Sequence, residues 1–271
     1  LYPSDRVLRR NYRKEFQEIP ENGSHPVTVL TLFCGRYHTL APYFWQLENL
    51  DYLKQNIHLL LFCTTPNRYF YKALSKHVHR IGKAYASVRL VWDQSVVPSK
   101  LAFCEKEKDS EIHLDNIPRL YSKAFQKVET RYCLSMEDDQ VNQSHIAKRF
   151  LRLIQLDKVA SICGIAMDRH QQRDVPVAFD FYLSPLGDRV AGRFVSDRNF
   201  SLTPVGSAGF GSTLFDMERI NDIEITHRMD SVPDLLGADV LLGYQANKKG
   251  RVILHDWDVR SYHIDSTGAI R

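Results

Sequence analysis

The feature that most limits how this chain can fold is a series of short apolar runs, each followed by a stretch of helical spacing. The first run, VTVLTLFCG at 27–35, is rich in β-branched residues and stops at Gly35, the pattern of a strand buried on both faces. IHLLLFCTTPN (57–67), SVRLVWD (87–93) and RYCLSME (131–137) repeat it. Between them, LAPYFWQLENLDYLKQN (40–56), the basic amphipathic RYFYKALSKHVHRIGKAY (68–85) and IPRLYSKAFQKVET (117–130) space their apolar residues as helices do. Such alternation predicts an α/β fold with a mostly parallel central sheet, helices on both faces and a ligand site beyond the carboxyl ends of the strands.

The second half continues with a helix over SHIAKRFLRLIQ (144–155) and a strand over VASICGIAM (159–167). A polar stretch over 168–197 follows no single period. PVGSAGFGSTLFDMERI (204–220) reads as a Gly-rich loop leading into a strand or helix. VPDLLGADVLLGYQANKKG (232–250) reads as a helix stopped at Gly250, and RVILHDWDVRSYHID (251–265) as a strand. We expect an N-terminal arm over 1–26 and one domain over 27–271, with a 27–140 half and a 141–271 half.

Composition excludes several classes. Thirty-six basic against thirty-two acidic side chains leave a formal +4, too little to argue for nucleic acid, although a mildly basic surface suits an anionic ligand or a membrane surface. No apolar run reaches the roughly 20 residues of a membrane span. The chain begins at Leu1 rather than Met, and we expect a leader or anchor to have been trimmed. Of five cysteines, Cys34, Cys63, Cys133 and Cys163 fall in or beside apolar runs, where free thiols behave as small hydrophobes. That reading favours a cytoplasmic, membrane-peripheral setting. The glycosylation-type triplets at Asn22, Asn142 and Asn199 keep the Golgi lumen as the alternative.

The chemistry concentrates at the end of the fourth apolar run, where MEDDQ places Glu137, Asp138 and Asp139 in succession. Three adjacent acids repel one another, so the turn must be solvated or neutralised by a cation. Carboxylate oxygens are hard ligands suited to Mg²⁺ or Mn²⁺, and a site using one or two of them leaves room for ligand phosphates. After the first strand, which contains Thr31, Cys34, Gly35 and Arg36 are placed to meet a ligand, and Arg36 could grip phosphate in a bidentate fashion. Thr64 closes the second strand and Asp93 the third. Arg119 and Lys123, four residues apart, share one helix face.

The strand ending in MEDDQ, preceded by PRLYSKAFQKVETRY, resembles the acidic metal-binding motif of GT-A fold glycosyltransferases, in a Glu-Asp-Asp variant seen among family-two-type enzymes. Three later segments follow in the family's order: GSAGFGSTLF (206–215) resembles the Gly-rich segment lining donor and acceptor, GADVLLGYQANKKG (237–250) the helix carrying a catalytic carboxylate, and GRVILHDWDVRSYHID (250–265) the terminal strand ending in a His. The resemblance implies a Rossmann-like nucleotide-binding half and transfer of a sugar from a nucleotide-sugar donor, UDP-linked by preference, to a carbohydrate or glycoconjugate hydroxyl. It implies Asp139 as main metal ligand with Glu137 and His263, Asp138 at the metal-bound water or ribose, Gly209 in the donor-lining segment, and Asp239 as general base in an inverting displacement. The chain departs from the family pattern at Ala238, where a second acid is usual, at Gln245, where Arg is usual, and at TTPN after the second strand. Asp234 competes with Asp239 for the base. A nucleotidyltransferase and a non-catalytic nucleotide- or carbohydrate-binding relative are the alternative readings.

Overall fold

A computed structural model describes residue 17 and residues 24–95, 107–166, 178–183, 190–194, 201–229 and 237–270. The N-terminal arm except residues 17 and 24–26, Cys104, Asp234, Asn22 and Asn199, and most of the 168–197 stretch lie outside those residues.

The fold is mixed α/β, with a large, mostly parallel, curled central sheet flanked by helices. Its first half is parallel. Strand β1 (Val27–Phe33) lies between β2 (Ile57–Cys63) and β4 (Tyr132–Ser135), and β3 (Ser87–Trp92) runs along the outer side of β2. Helices α1 (Tyr37–Glu48), α2 (Arg68–Ile81) and α3 (Glu107–Phe125) are the crossovers. Asn67 starts α2 by accepting from the backbone N–H groups of Tyr69 and Phe70 at 2.9 and 3.2 Å, which satisfies two of the donors that a helix start leaves open. Val27, Val29, Leu30 and Phe33 have no exposed surface, as expected of a strand covered on both sides.

Several element ends differ from the expectation, among them the end of α2 at Ile81 rather than 85. Helix α1 begins three residues early, holds Pro42 inside it and ends at Glu48 rather than continuing to 56. Helix α3 starts at Glu107, with Pro118 inside. Strand β4 stops at Ser135, so the acids stand in a turn rather than on the strand.

After the turn come β5 (Gln140–Asn142), α4 (Ile146–Leu153) and β6 (Val159–Ala166). Strands β7 (Ala178–Leu183), β8 (Val190–Phe194) and β10 (Ser207–Ala208) form a small antiparallel sheet, and β9 (Leu202–Val205) pairs with the last strand. Strand β11 (Thr213–Asp216) inserts antiparallel between β4 and β6 and runs into the short helix α5 (Met217–Ile220). Helix α6 (Ala238–Lys248) leads to β12 (Val252–His263), which lies parallel to β6 and antiparallel to β5. Two apolar layers result, one on each face of the sheet. Among the described residues no helix is long and apolar enough to cross a membrane.

Candidate active site

Four separate parts of the chain converge where β4 gives way to β5. The acid turn is almost sealed: Asp138 and Asp139 are each 2% exposed. Two buried carboxylates side by side require a cation, and Arg36, just beyond β1, provides one. Its guanidinium bonds Asp139 and lies 3.3 Å from Asp138 Oδ1. The same guanidinium donates from Nε to Cys34 Sγ at 2.7 Å, while the Cys34 backbone N–H donates to Asp138 Oδ2 at 3.3 Å. Although Cys34 as a residue keeps exposed surface, protein packed around its sulfur, with the Asp138 charge adding to it, pushes the thiol up to about 12; it is a thiol here, not a nucleophilic thiolate.

Glu137 turns elsewhere. Its carboxylate accepts from Gln140 Nε2 at 2.9 Å, and the bare Cα of Gly211 is what lets the Gly-rich segment close on this pair. A Cβ at 211 would stand 2.9 Å from both the Glu137 carboxyl carbon and Gln140 Nε2. The other end of the segment is gripped by α6. Gly243 sits so close to the Gly206 carbonyl and to Ser207 that any side chain there would collide, and Asn247 Nδ2 donates to the Gly206 carbonyl at 2.7 Å. Gly209 is half-buried and its carbonyl accepts from the Thr213 hydroxyl at 2.7 Å.

Asp239 lies in the first turn of α6. It retains some exposed surface, yet protein closely surrounds its carboxyl. Burial pushes its pKa above the ordinary carboxylate value, against a 2.9 Å bond accepted from the Val240 backbone N–H. Tyr121 links it to the acid turn. Burial pushes that phenol up and the Glu137 and Asp239 carboxylates add to the effect, while its hydrogen bond to Ser135 opposes it. Two carboxylates felt by one hydroxyl occupy one neighbourhood. Phe210 of the Gly-rich segment packs on the same ring at 4.4 Å between centroids.

The last strand reaches the turn through its backbone. His263 pairs with Gln140, and the Ile264 N–H donates to the Asp139 carbonyl at 2.8 Å. The other sequence-predicted residues have local partners of their own. Thr31 is buried, with its hydroxyl bonded to that of Tyr43. Gly35 has φ +105, the left-handed region that favours glycine. Thr64 donates to the Phe33 carbonyl at 3.0 Å. Asp93 is paired with Lys123 at 3.2 Å and bonded by Ser95; burial works to raise its pKa, but these partners outweigh it and hold it low. Arg119 is exposed on α3. Ala238 is in the core, and Gln245 ties α6 to the backbone of Glu224 at 2.7 Å.

Sequence reading missed the scaffold beneath the turn. Gln46 donates to the Gln140 carbonyl and accepts from the Asn142 N–H and side-chain amide at 2.7, 2.9 and 3.2 Å. Ser212 donates to Gln140 Oε1 at 2.8 Å and bonds Asn142, while Ser261 donates to Asn142 Oδ1 at 2.6 Å and to Ser212 at 2.7 Å. The Gln140 within MEDDQ was the one local signal; its partners are scattered over more than two hundred positions. Asn142 is 6% exposed with its amide spent in this network, which leaves no room for a glycan there. Among the described residues the cysteines are free thiols, with Cys63, Cys133 and Cys163 buried and Cys34 exposed.

No protein-family model matches the sequence, and no curated protein is significantly similar to it. Solved structures do match its shape. The mannosyltransferase PcManGT from Pyrobaculum calidifontis, in complex with GDP-Man and Mn²⁺, aligns over 91% of this chain and 61% of its own, with a TM-score of 0.57 at 8% identity. S. aureus TarS 1–349 with UDP-GlcNAc aligns over 86% and 56%, with a TM-score of 0.52 at 10% identity. A second TarS 1–349 structure aligns over 85% and 60%, at 0.51 and 10%. The chain spans about three fifths of these proteins' lengths. The acid turn, the Gly-rich segment and the Asp239 helix thus sit on the fold of the GT-A-type glycosyltransferases.

Proposed function

We propose that the protein is a metal-dependent glycosyltransferase that moves a sugar from a nucleotide-sugar donor, UDP-linked in our reading, to a hydroxyl of a carbohydrate or glycoconjugate acceptor, with inversion. The observation that carries this reading is the contrast between two carboxylate stations: a buried aspartate pair matched to a cation, and an enclosed aspartate with a raised pKa. Solved structures of this fold with GDP-Man and Mn²⁺ and with UDP-GlcNAc support the donor class.

The aspartate pair fits a divalent cation. Two buried hard-oxygen donors, already drawn to a guanidinium, leave the remaining positions to ligand phosphates. Asp139 would be the principal ligand, Asp138 and Glu137 its neighbours, and His263 the reach from β12. Mn²⁺ or Mg²⁺ bound there supplies neutralisation of the diphosphate charge. With a cation in its place on the aspartates, Arg36 would be available to a phosphate, for which its planar fork is a bidentate match. Asp239 takes the acceptor proton. Its carboxyl must be ionised to act, and a raised pKa makes it a stronger base than a solvated aspartate. With one carboxylate in that role and none placed as nucleophile, a single in-line displacement inverts the anomeric centre.

Calorimetric titration with UDP and GDP, each with and without Mn²⁺, tests the donor half. Metal-dependent binding of UDP is expected, and failure of both nucleotides to bind would overturn the reading. Proton NMR of the first product formed reads the anomeric configuration, which should be opposite to that of the donor.

A further inference from the structure

The layer formed by helices α1 and α2 carries a second pattern on its outer face that the reaction does not use. Helix α2 turns Phe70, Leu74 and Ile81 inward. Its outer face presents Arg68, Lys72, Lys76, His79 and Arg80, all exposed. At 100° per residue these five fall within an arc of roughly 120°, along a helix roughly 21 Å long, and exposed Lys83 follows in the short 3-10 turn Gly82–Ala84 just beyond its end. Arg80 pairs with Glu48 of α1 at 2.8 and 2.9 Å. Arg68, Lys72, Lys76 and Lys83 form no ion pair among the described residues. Over 37–86 the chain holds six Lys and Arg against two acids, the same net +4 as the whole sequence. The charge excess therefore has an address.

The same layer is also where apolar side chains are left in water. Of seven large hydrophobic residues exposed among those described, four belong to it: Tyr37 at 50%, Trp45 at 58%, Leu53 at 60% and Tyr69 at 75%. Helices α1 and α2 lie side by side, joined by the Phe44–His77 stack at 4.8 Å and the Tyr37–Phe70 contact at 5.2 Å. We propose that this α1–α2 face docks on an anionic phospholipid surface, with the cations against the headgroups and Trp45, Leu53 and Tyr69 entering the interface. A soluble polyanion would call on the cations alone. The exposed apolar side chains gain only from an apolar phase, and mixed basic and aromatic faces are what bind membrane interfaces. The stripe begins at Arg68, immediately after the loop closing β2, so one end of the docked face lies at the carboxyl edge of the sheet, where the candidate site also opens.

Vesicle co-sedimentation tests this without any nucleotide, so its outcome is independent of the glycosyltransferase reading. The intact chain should bind phosphatidylcholine vesicles containing about 30% phosphatidylserine and not pure phosphatidylcholine. Raising salt to about 0.5 M should weaken binding strongly, since screening reaches only a few ångströms there. Lys72→Glu/Lys76→Glu/Lys83→Glu, checked for folding by circular dichroism, should bind at least about 100-fold more weakly. Trp45 emission should shift to the blue on anionic vesicles, and Trp45→Ala should weaken the salt-resistant remainder several-fold. Equal binding to neutral vesicles, full binding by the triple variant, or capture by heparin with anionic vesicles ignored would each overturn the proposal. In the wild type, the salt and lipid dependence decides it even if the triple variant fails to fold.

Discussion

The two carboxylate stations are built in opposite ways. Asp138 and Asp139 are sealed, but a guanidinium lies against both. Asp239 is partly open to solvent, yet among the described residues no cation pairs with it, and its pKa is raised. Burial with a counter-ion makes a place that holds charge; enclosure without one makes a group that takes up a proton. The difference teaches that the aspartates of one candidate site are assigned their roles by neighbours, not by depth.

The largest expected effect comes from breaking the first station. Asp139→Ala should abolish Mn²⁺-dependent donor binding in calorimetry and reduce turnover by about 10³-fold or more, the scale of losing a metal's electrostatic role. Asp239→Asn should sharpen the contrast: turnover falls by about 10²–10⁴-fold, as for loss of a general base, with donor affinity unchanged. If both variants lose donor binding equally, the stations are not distinct. Arg36→Met should separate metal from phosphate, with Mn²⁺ binding about tenfold tighter in the absence of nucleotide because its competitor is gone, and donor binding weaker.

pH offers a subtler probe. As the proposed base, Asp239 would act when deprotonated, so the acid limb of the rate profile should lie above the ordinary aspartate value, with turnover falling as pH drops through it. The limb should vanish from the residual activity of Asp239→Asn. Outside the candidate site, His255 serves as control. It is wholly buried, both ring nitrogens lack a hydrogen-bond partner among the described residues, and burial lowers its pKa to about 3. The unfolded chain binds that proton near pH 6.5 and the folded protein does not, so stability is full above pH 6.5. It declines toward pH 3 by about 1.4 kcal/mol per pH unit. Denaturant melts of His255→Phe should lose this share of the acid sensitivity while the rate profile keeps its limb. The smallest effect is expected at Ser212→Ala, about 1–2 kcal/mol from a network left partly unsatisfied.

Much of the architecture is legible in the sequence because β1, β2 and β4 are buried on both faces and so appear as unbroken apolar runs. Strand β11 is not. Four residues, Thr213–Asp216, are too few for any period, and their antiparallel entry between β4 and β6 depends on partners about 50 and 80 positions away. At the site, the acids and Asp239 stand out as residue types in order. The orientation of Arg36 does not, because the sequence marks it as a phosphate ligand while, with no donor bound, the nearest anions are buried aspartates. The Gln46–Gln140–Ser212–Ser261 scaffold is invisible for a different reason: each member is an ordinary polar residue until the fold brings it next to the others.

The seam between β5 and β12 has a consequence for how the molecule matures. The acid turn is written at residues 137–139, but β5 obtains its ladder from Ser261–His263, and the Asp139 carbonyl is satisfied by Ile264. Contacts of such sequence separation form late, after local elements have collapsed. A nascent chain can therefore assemble its parallel core around β1 while the acid turn still lacks its far support, and a half-made molecule emerging from the ribosome does not yet carry the finished turn.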